Sequence, residues 1–204
     1  MSSTSVGTAR RHATVGRTLR LAPEWTTSAW LNTPEPLSLA ALRGRVVLVH
    51  AFQMLCPGCV ARGLPQATRV AEVFAGAPLS VIGLHTVFEH HEAMKLESLK
   101  AFLHEYRIQF PVGIDAPGPS GAPIPQTMRA YGMQGTPTTV LIDAQGRLRR
   151  QVLGVHDDLM LGAEIQTLLL EAESEAGVRD SPRTAASHAG CNDEGCIVPG
   201  APAP

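Results

Sequence analysis

Two cysteines separated by two residues, in the run Cys56-Pro57-Gly58-Cys59, are the residues of this sequence best suited to chemistry. A C-x-x-C pair can be half of a metal site, or it can cycle between dithiol and disulfide. Cys56 is predicted to lie where a helix begins, and the unpaired N–H groups and positive dipole end found there favour a thiolate. Cys59 is predicted to be the more buried thiol, one turn further on and able to attack a mixed disulfide at Cys56. A redox-active dithiol is the favoured interpretation.

His50 precedes Cys56 by six residues and interrupts an apolar run. It can serve as a base that helps deprotonate Cys59, or it can be a core histidine hydrogen-bonded to the surrounding structure. Four further histidines, which lie around the second predicted strand and the helix after it, are favoured as solvated polar residues over a metal site: His85, His90, His91 and His104. No metal site is predicted.

The other two cysteines, Cys191 and Cys196, lie near the end of the chain with His188. They can form a second, auxiliary dithiol that exchanges electrons with Cys56 and Cys59, or a clip for a soft metal ion. The third interpretation is a tail in which these cysteines do little. Four cysteines allow three pairings, and the sequence alone does not choose among them.

Strands and helices alternate around the dithiol. A continuous apolar run at 46–52 predicts a strand buried on both faces, and Pro57 begins a helix that Gly63 and Pro65 should interrupt. A short helix is predicted at 39–42, before the first strand. Further strands are predicted at 79–84 and 110–114, and a β-hairpin at 138–143 and 148–153. Further helices are predicted at 94–108, at 126–131 and from 157 or 158 to about 172, with an irregular loop at 116–125. This order predicts an α/β fold with a central mixed sheet and helices on both faces.

The chain is predicted to have one folded domain with two extensions. Residues 1–21 are expected to be a flexible arm, 22–174 the domain, and 175–204 a disordered tail that carries the Cys pair. The segment from Pro23 to Pro36 is expected to be irregular and to pack on the core. Because the formal net charge is −1 and only 4% of residues are aromatic, nucleic acid is not an expected partner. No membrane span and no signal peptide are recognisable, so a cytoplasmic location is expected.

Several segments together resemble the thioredoxin-fold redoxins, within them the TlpA/ResA-type thiol–disulfide oxidoreductases of the AhpC/TSA-redoxin superfamily. The segments that carry the resemblance, over about residues 22–172, are the run from Leu37 to Val49, Cys56-Pro57-Gly58-Cys59, Gly135-Thr136-Pro137-Thr138 and Leu141 to Gly146. Trp30-Leu31-Asn32 and the run from Val81 to Thr86 are also similar to the redoxin domain of DipZ-like proteins.

The resemblance implies a disulfide reductase in which Cys56 is the nucleophile and Cys59 the resolving thiol. Pro137 would be a cis-proline facing the dithiol, Thr136 would offer backbone hydrogen bonds to a substrate chain, and Pro57 would complete the substrate-binding residues. No organic cofactor is required. The implied partners are a disulfide-containing protein or small molecule and a thiol electron donor such as thioredoxin or glutathione; the reverse reaction would make the protein an oxidant.

Three other functions are weighed against this one. A thiol peroxidase of the AhpC/TSA type would require Pro at position 49 and Thr at position 53, where this chain has Val49 and Gln53. A metal-handling, Sco-like module has the same fold, but its two cysteines are usually one residue further apart. A domain that only mediates contacts would not require an intact dithiol.

The chain departs from the family pattern at two positions. Leu55 replaces the aromatic residue common before the first cysteine, and His50 replaces the usual acid.

Overall fold

The computed structural model describes residues 19–180, with side chains to residue 176. Six strands, one π-helical turn, one short 3₁₀ turn and four α-helices follow one another along these residues. In chain order they are β1 (Thr27–Leu31), β2 (Val46–Phe52), the π-helical turn Cys59–Gly63, α1 (Leu64–Val73), β3 (Leu79–His85), α2 (Leu96–Glu105), β4 (Val112–Asp115), the 3₁₀ turn Pro119–Gly121, α3 (Gln126–Tyr131), β5 (Thr138–Ile142), β6 (Leu148–Leu153) and α4 (Asp158–Asp180).

The six strands form one mixed sheet in the order β1-β4-β3-β2-β5-β6. The three central strands β4, β3 and β2 are parallel, whereas β5 is antiparallel to β2, β6 to β5, and β1 to β4. Every residue of β2 is buried, as its apolar run, interrupted only by His50, predicts. The predicted mixed sheet and the predicted hairpin of β5 and β6 are confirmed.

Helices cover both faces of the sheet, as predicted. Helix α1 connects β2 to β3 and α2 connects β3 to β4; both crossovers step across the sheet in the same direction, so their right-handedness puts both helices on one face. Leu64 of α1, Leu99 of α2 and Ile165 of α4 belong to the core cluster on that face. Met128 and Tyr131 of α3 belong to the cluster on the opposite face, which the segment before β2 completes.

One strand was not predicted. Residues Pro23–Pro36 were expected to be irregular, but Thr27–Leu31 pairs antiparallel with β4 at the edge of the sheet. Gly113 of β4 makes this pairing close, because a Cβ atom there would lie 2.9 Å from Thr27 and 3.2 Å from Trp30. Strand β1 is therefore stabilised by its partner rather than by its own short sequence.

Other predicted boundaries need correction. Residues 39–42 form hydrogen-bonded turns rather than a helix, although Ser38 accepts a bond from the Ala41 N–H as a capping residue would. Helix α2 is shorter than 94–108, and the loop 116–125 contains a short 3₁₀ turn. Helix α4 continues beyond residue 172 to Asp180, because extending an existing helix through good helix formers such as Glu and Ala does not require an apolar face.

The chain divides into two compact units, Met1–Ala172 and Glu173–Pro204. The second unit is described only as far as Asp180, where α4 ends. Arg20 and Leu21, assigned from sequence to the arm, bond to residues at the start of β6: the Leu148 N–H donates to the Arg20 carbonyl, and Leu21 forms an isolated antiparallel bridge with Arg147. Within residues 19–180, no helix has both the length and the apolar character needed to cross a bilayer.

Candidate active site

The dithiol lies where β2 passes into the first helix. Pro57 and Gly58 begin the helix, and the turn after them is π-helical: the Leu64 N–H donates to the carbonyl of Cys59, five residues back. Because Pro65 has no N–H, it cannot donate the hydrogen bond that would continue the α-helical pattern. The wider π-helical turn accommodates this missing donor. The predicted interruption near Gly63 and Pro65 is thus a π-helical turn rather than a break.

The two thiols have different surroundings. Cys56 is half-buried and Cys59 is fully buried, and both are free thiols. The Cys56 Sγ lies 3.5 Å from the Thr136 carbonyl, to which its thiol can donate, and it accepts a hydrogen bond of 3.3 Å from the Cys59 N–H. Burial, and next the hydrogen bond with Cys56, raise the pKa of Cys59 to about 12. Cys56 is therefore the thiol that a substrate can reach, and Cys59 stays protonated near neutral pH.

The Thr136–Pro137 peptide bond is cis, which confirms what the family resemblance implied for this position. Pro137 is buried and faces the helix start: a Cβ atom on Gly58 would touch its Cδ at 3.4 Å. Its carbonyl accepts a hydrogen bond of 2.8 Å from the Gly154 N–H, which joins this loop to the end of β6. Thr136 and Pro137 thus stand beside the dithiol, while Pro57 is exposed next to Cys56.

His50 is buried in β2 below the turn that carries the cysteines. A Cβ atom on Gly63 would lie 2.5 Å from the imidazole and 3.2 Å from Pro137, so the ring fits only because residue 63 has no side chain. Burial lowers the pKa of His50 to about 4, which leaves the ring neutral near pH 7. The Nε2 atom has no hydrogen-bond partner, and neither has the hydroxyl of Thr139, the residue paired with His50 on β5.

Gln53 was missed as a site residue. Its side chain is buried and makes two hydrogen bonds to the segment after β3: Oε1 accepts from the Phe88 N–H at 3.2 Å, and Nε2 donates to Glu89 at 3.3 Å. Its backbone carbonyl accepts a bond of 3.2 Å from the Cys56 N–H. The available sequence signal is a glutamine directly after a strand that is apolar except for His50, because a buried amide needs hydrogen-bond partners.

The remaining predicted residues do not gather at the dithiol. His90, His91 and His104 are exposed, as predicted, but His85 is 1% exposed and the expectation of a solvated residue is wrong there. Its place as the last residue of β3 puts it on the same sheet face as His50, under α2. Among residues 19–180, no group of three or more His, Cys, Asp or Glu side chains is arranged to hold a metal ion. Cys191, Cys196 and His188 lie outside the described residues.

Known proteins resemble this chain over most of its length. A sequence model of the AhpC/TSA family matches residues 20–151. A thioredoxin-like superfamily protein of known structure is 56% identical, with a TM-score of 0.70 over 73% of this chain and 96% of that chain. A thiol-disulfide isomerase from Corynebacterium glutamicum is 45% identical, with a TM-score of 0.70 over 74% of this chain and 97% of that chain. These structures confirm the predicted thioredoxin-like fold.

A curated relative, the protein DipZ of Mycobacterium bovis, is 28% identical over 148 residues, or 72% of this chain. Those residues are only 20% of DipZ, so the chain spans about a fifth of that protein's length.

Proposed function

Since the chain belongs to the AhpC/TSA family, we propose that it is a thiol–disulfide oxidoreductase whose active site is the dithiol of Cys56 and Cys59. The observation that carries the proposal is the asymmetry of the two thiols. One is reachable and bonded to a backbone N–H, and the other is buried with its pKa raised to about 12. A dithiol mechanism needs one accessible thiol that attacks the substrate disulfide and a second thiol that later resolves the mixed disulfide.

In the first step, the Cys56 thiolate attacks one sulfur of a substrate disulfide. The substrate S–S bond breaks, the second substrate sulfur leaves with the electron pair and takes up a proton, and Cys56 becomes part of a mixed disulfide. The Cys59 N–H, 3.3 Å from Cys56 Sγ, is placed to stabilise the thiolate before the attack. No metal or organic group is required for this step.

In the second step, Cys59 attacks the Sγ of Cys56, and the substrate's other sulfur leaves as a thiol. Two electrons and two protons have then passed to the substrate, and Cys56 and Cys59 form a disulfide. Cys59 must lose its proton in this step. His50 is the proposed acceptor, because its neutral ring is buried below the turn and its Nε2 has no hydrogen-bond partner.

The two pKa values restrict when this transfer can occur. With both thiols free, the pKa of Cys59 is about 12 and that of His50 about 4, so the proton stays on Cys59. In the mixed disulfide the Cys56 sulfur is uncharged and a weaker hydrogen-bond acceptor, so both effects of Cys56 that raise the pKa of Cys59 become smaller, while the effect of burial remains. Transfer to His50 is therefore proposed to accompany the attack of Cys59 rather than to precede it.

The substrates are proposed to be disulfides of proteins or small molecules, with a thiol such as thioredoxin or glutathione as the electron donor. Protein substrates are supported by the apolar surface beside the dithiol: Leu55 is 56% exposed and Leu153 is 57% exposed. Leu153 lies next to Gly135, one residue before Thr136. Thr136, Pro137 and Pro57 are the proposed substrate contacts. The cytoplasmic location remains a prediction.

The decisive experiment compares single cysteine variants in the reduction of insulin and of a small aromatic disulfide. Cys56→Ala should abolish both activities, whereas Cys59→Ala should accumulate a mixed disulfide at Cys56 that mass spectrometry detects. Wild-type turnover in Cys56→Ala would contradict the proposal. Peroxide turnover at enzyme-like rates with thioredoxin as reductant would favour the peroxidase instead.

The direction of the reaction depends on the reduction potential of the Cys56–Cys59 pair. Equilibration with glutathione buffers should place it at about −270 mV for a reductant or at about −120 mV for an oxidant.

The tail cysteines are the proposed auxiliary dithiol. Replacing Cys191 and Cys196 together with Ser should slow re-reduction of the Cys56–Cys59 disulfide by the donor and leave the first attack on insulin unchanged. An unchanged rate of re-reduction would remove them from the mechanism.

A further inference from the structure

Thr139 in β5 is the direct neighbour of His50 across the sheet. The two residues are paired in the antiparallel ladder of β2 and β5, so their side chains leave the same face of the sheet, with Cβ atoms about 4.5–5.5 Å apart. Both residues are 2% exposed. Among residues 19–180, the Thr139 hydroxyl and the His50 Nε2 are two of the four buried side-chain polar atoms that have no hydrogen-bond partner. Two residues with unpaired polar atoms are thus paired inside the protein.

The other side chains directly beside Thr139 on this face of the sheet are apolar. Along the chain its neighbours are Pro137 and Leu141, and the residue paired with it on β6 is Val152. A buried hydroxyl group normally has a hydrogen-bond partner. Within the sheet, the imidazole of His50 is the polar group next to Thr139 that can be this partner.

The His50 ring has one nitrogen at the turn and one nearer the sheet. Nε2 lies 2.5 Å from the position that a Cβ atom on Gly63 would take, in the turn that begins at Cys59, and is the atom proposed above to accept the proton. Nδ1 is bonded directly to Cγ and is therefore closer to the strands, where the Thr139 hydroxyl lies. When Nε2 takes up a proton, both nitrogens carry a hydrogen. A buried, charged ring needs an acceptor for each N–H.

We propose that Thr139 is a positioning residue for the second step of the reaction. Its hydroxyl accepts the Nδ1–H of His50, which leaves the lone pair of the ring on Nε2 and stabilises the ring after Nε2 has taken the Cys59 proton. This role rests on the function proposed above for His50.

The bond acts mainly while Cys59 attacks. In the reduced protein the Thr139 hydroxyl is unbonded. A hydrogen bond to a charged ring is stronger than one to a neutral ring, so the bond forms by rotation of Thr139 about χ1 as the ring of His50 becomes charged. The proton passes from Cys59 to Nε2 and then to the departing substrate sulfur, and Thr139 neither gains nor loses a proton.

The test measures the two chemical steps separately in a single turnover. The full-length reduced protein carries Cys191→Ser and Cys196→Ser, so that its only thiols are Cys56 and Cys59, and it reacts with a substoichiometric amount of dithiobis(nitrobenzoate). The attack of Cys56 releases the first thionitrobenzoate, and the attack of Cys59 releases the second. Thr139→Val should leave the first rate unchanged and slow the second by about tenfold or more, as expected for the loss of a hydrogen bond to a charged group.

Unfolding in urea distinguishes this role from a purely structural one. Because the Thr139 hydroxyl is unbonded in the reduced protein, Thr139→Val should keep or raise the free energy of unfolding. Thr139→Ser keeps the hydroxyl but loses a buried methyl group, so it should be less stable and still release the second thionitrobenzoate within about threefold of the wild-type rate. Thr167→Val removes an exposed hydroxyl from α4 and is the control that should leave both rates unchanged.

A double variant tests whether Thr139 acts through His50. In a His50→Asn protein the second release should already be slow. Adding Thr139→Val to that protein should change the rate by less than about twofold, because the effects of residues that act as one unit are not additive.

Three results would each overturn the proposal. The first is a second release in Thr139→Val within about twofold of the wild-type rate, and the second is equal slowing in Thr139→Val and Thr139→Ser. The third is undiminished slowing by Thr139→Val in the His50→Asn protein. A wild-type rate in His50→Asn alone would contradict the function proposed for His50 as well, whereas a slow His50→Asn protein beside an unaffected Thr139→Val would contradict only the role of Thr139.

Discussion

Two regions at one edge of the sheet each contain a buried histidine, and they differ in what covers it. His50 in β2 and His85 in β3 lie on the same face of the sheet, and the ring of Phe52 contacts both, with centroids 6.5 Å and 5.3 Å away. Burial lowers the pKa of each to about 4, and neither Nε2 has a partner. By residue type, burial and charge, the two imidazoles are nearly equivalent.

The cover makes the difference. His50 lies beside Pro137 and under the backbone of Gly63, which belongs to the turn that carries Cys59. His85 borders a cavity of about 410 Å³. His50 is thus enclosed by the protein itself, whereas the surroundings of His85 include an open space. The chemistry open to a buried polar group thus depends on its neighbours, and the following predictions test that conclusion.

The largest expected effect is kinetic and concerns His50. His50→Asn removes the proposed proton acceptor and should slow the attack of Cys59 on the mixed disulfide by about 10²-fold or more, the usual contribution of a positioned base. His50→Asp supplies another titratable group and should recover much of the rate, with a changed pH profile. The measurement is the release of thionitrobenzoate from Cys56 in a single turnover.

The exposed His104 is the control for this experiment, since His104→Asn should leave the release rate unchanged. If His85→Phe slowed the release as much as His50→Asn, the two regions would not be functionally distinct.

The next effect is on stability in acid and should be shared by both histidines. Each has a folded-state pKa of about 4 against 6.5 when unfolded, so between these values the unfolded chain binds more protons. The free energy of unfolding should therefore fall as the pH falls from about 6.5 to about 4, by up to about 3 kcal/mol per histidine. Urea unfolding at several pH values measures it.

Unfolding of the wild-type protein in this pH window is expected to take up about one proton per buried histidine, and replacing either histidine should remove that uptake. His50→Asn and His85→Phe should each flatten the curve, and the exposed His104→Asn should not. A steep curve that survives both replacements would mean that other groups control the acid stability.

The close cover of His50 predicts a smaller loss of stability in Gly63→Ala. The added methyl group would lie 2.5 Å from the imidazole, and such overpacking typically costs about 1–3 kcal/mol. Gly162→Ala is the matched control, since a Cβ atom at this position in α4 meets nothing within 4 Å and should add about 0.5–1 kcal/mol of stability. Thermal unfolding compares the two; equal stability would mean that the turn above His50 shifts freely.

The smallest predicted effect concerns the connection between the regions. Gln53→Ala removes the bonds to Phe88 and Glu89 and should cost about 1–2 kcal/mol, because the Phe88 N–H loses its partner. Hydrogen exchange at Phe88 should become faster, while exchange at the Thr138–Ile142 strand should not. Unchanged exchange at Phe88 would show that these bonds do not hold the segment after β3.

Local sequence determined much of the dithiol region. An apolar run interrupted only by His50 identifies β2, because the elements packed on the two faces of the sheet bury all of its side chains. Pro57 marks the start of the helix because a proline at that place loses no hydrogen bond. The spacing of Cys56 and Cys59 places both thiols on the first turn. The cis-proline at position 137 followed from the family resemblance rather than from local physics.

Other features were decided only by the tertiary structure. Strand β1 forms because Gly113 lets Thr27 and Trp30 approach β4. The sequence between Pro23 and Pro36 has no pattern from which a strand was predicted. The burial of His85, the bonds of Gln53 and the cavity all depend on segments brought together from distant parts of the chain, which periodicity within one segment does not encode.

The dithiol itself therefore follows from neighbouring residues, since its pattern lies within four positions of one turn. Its environment does not. The pKa of Cys59 is raised mainly by burial, and Thr136 and Pro137 reach the dithiol from the turn before β5. Desolvation and hydrogen bonding act through space, so two histidines of similar local sequence pattern acquire their different surroundings only when the sheet is assembled.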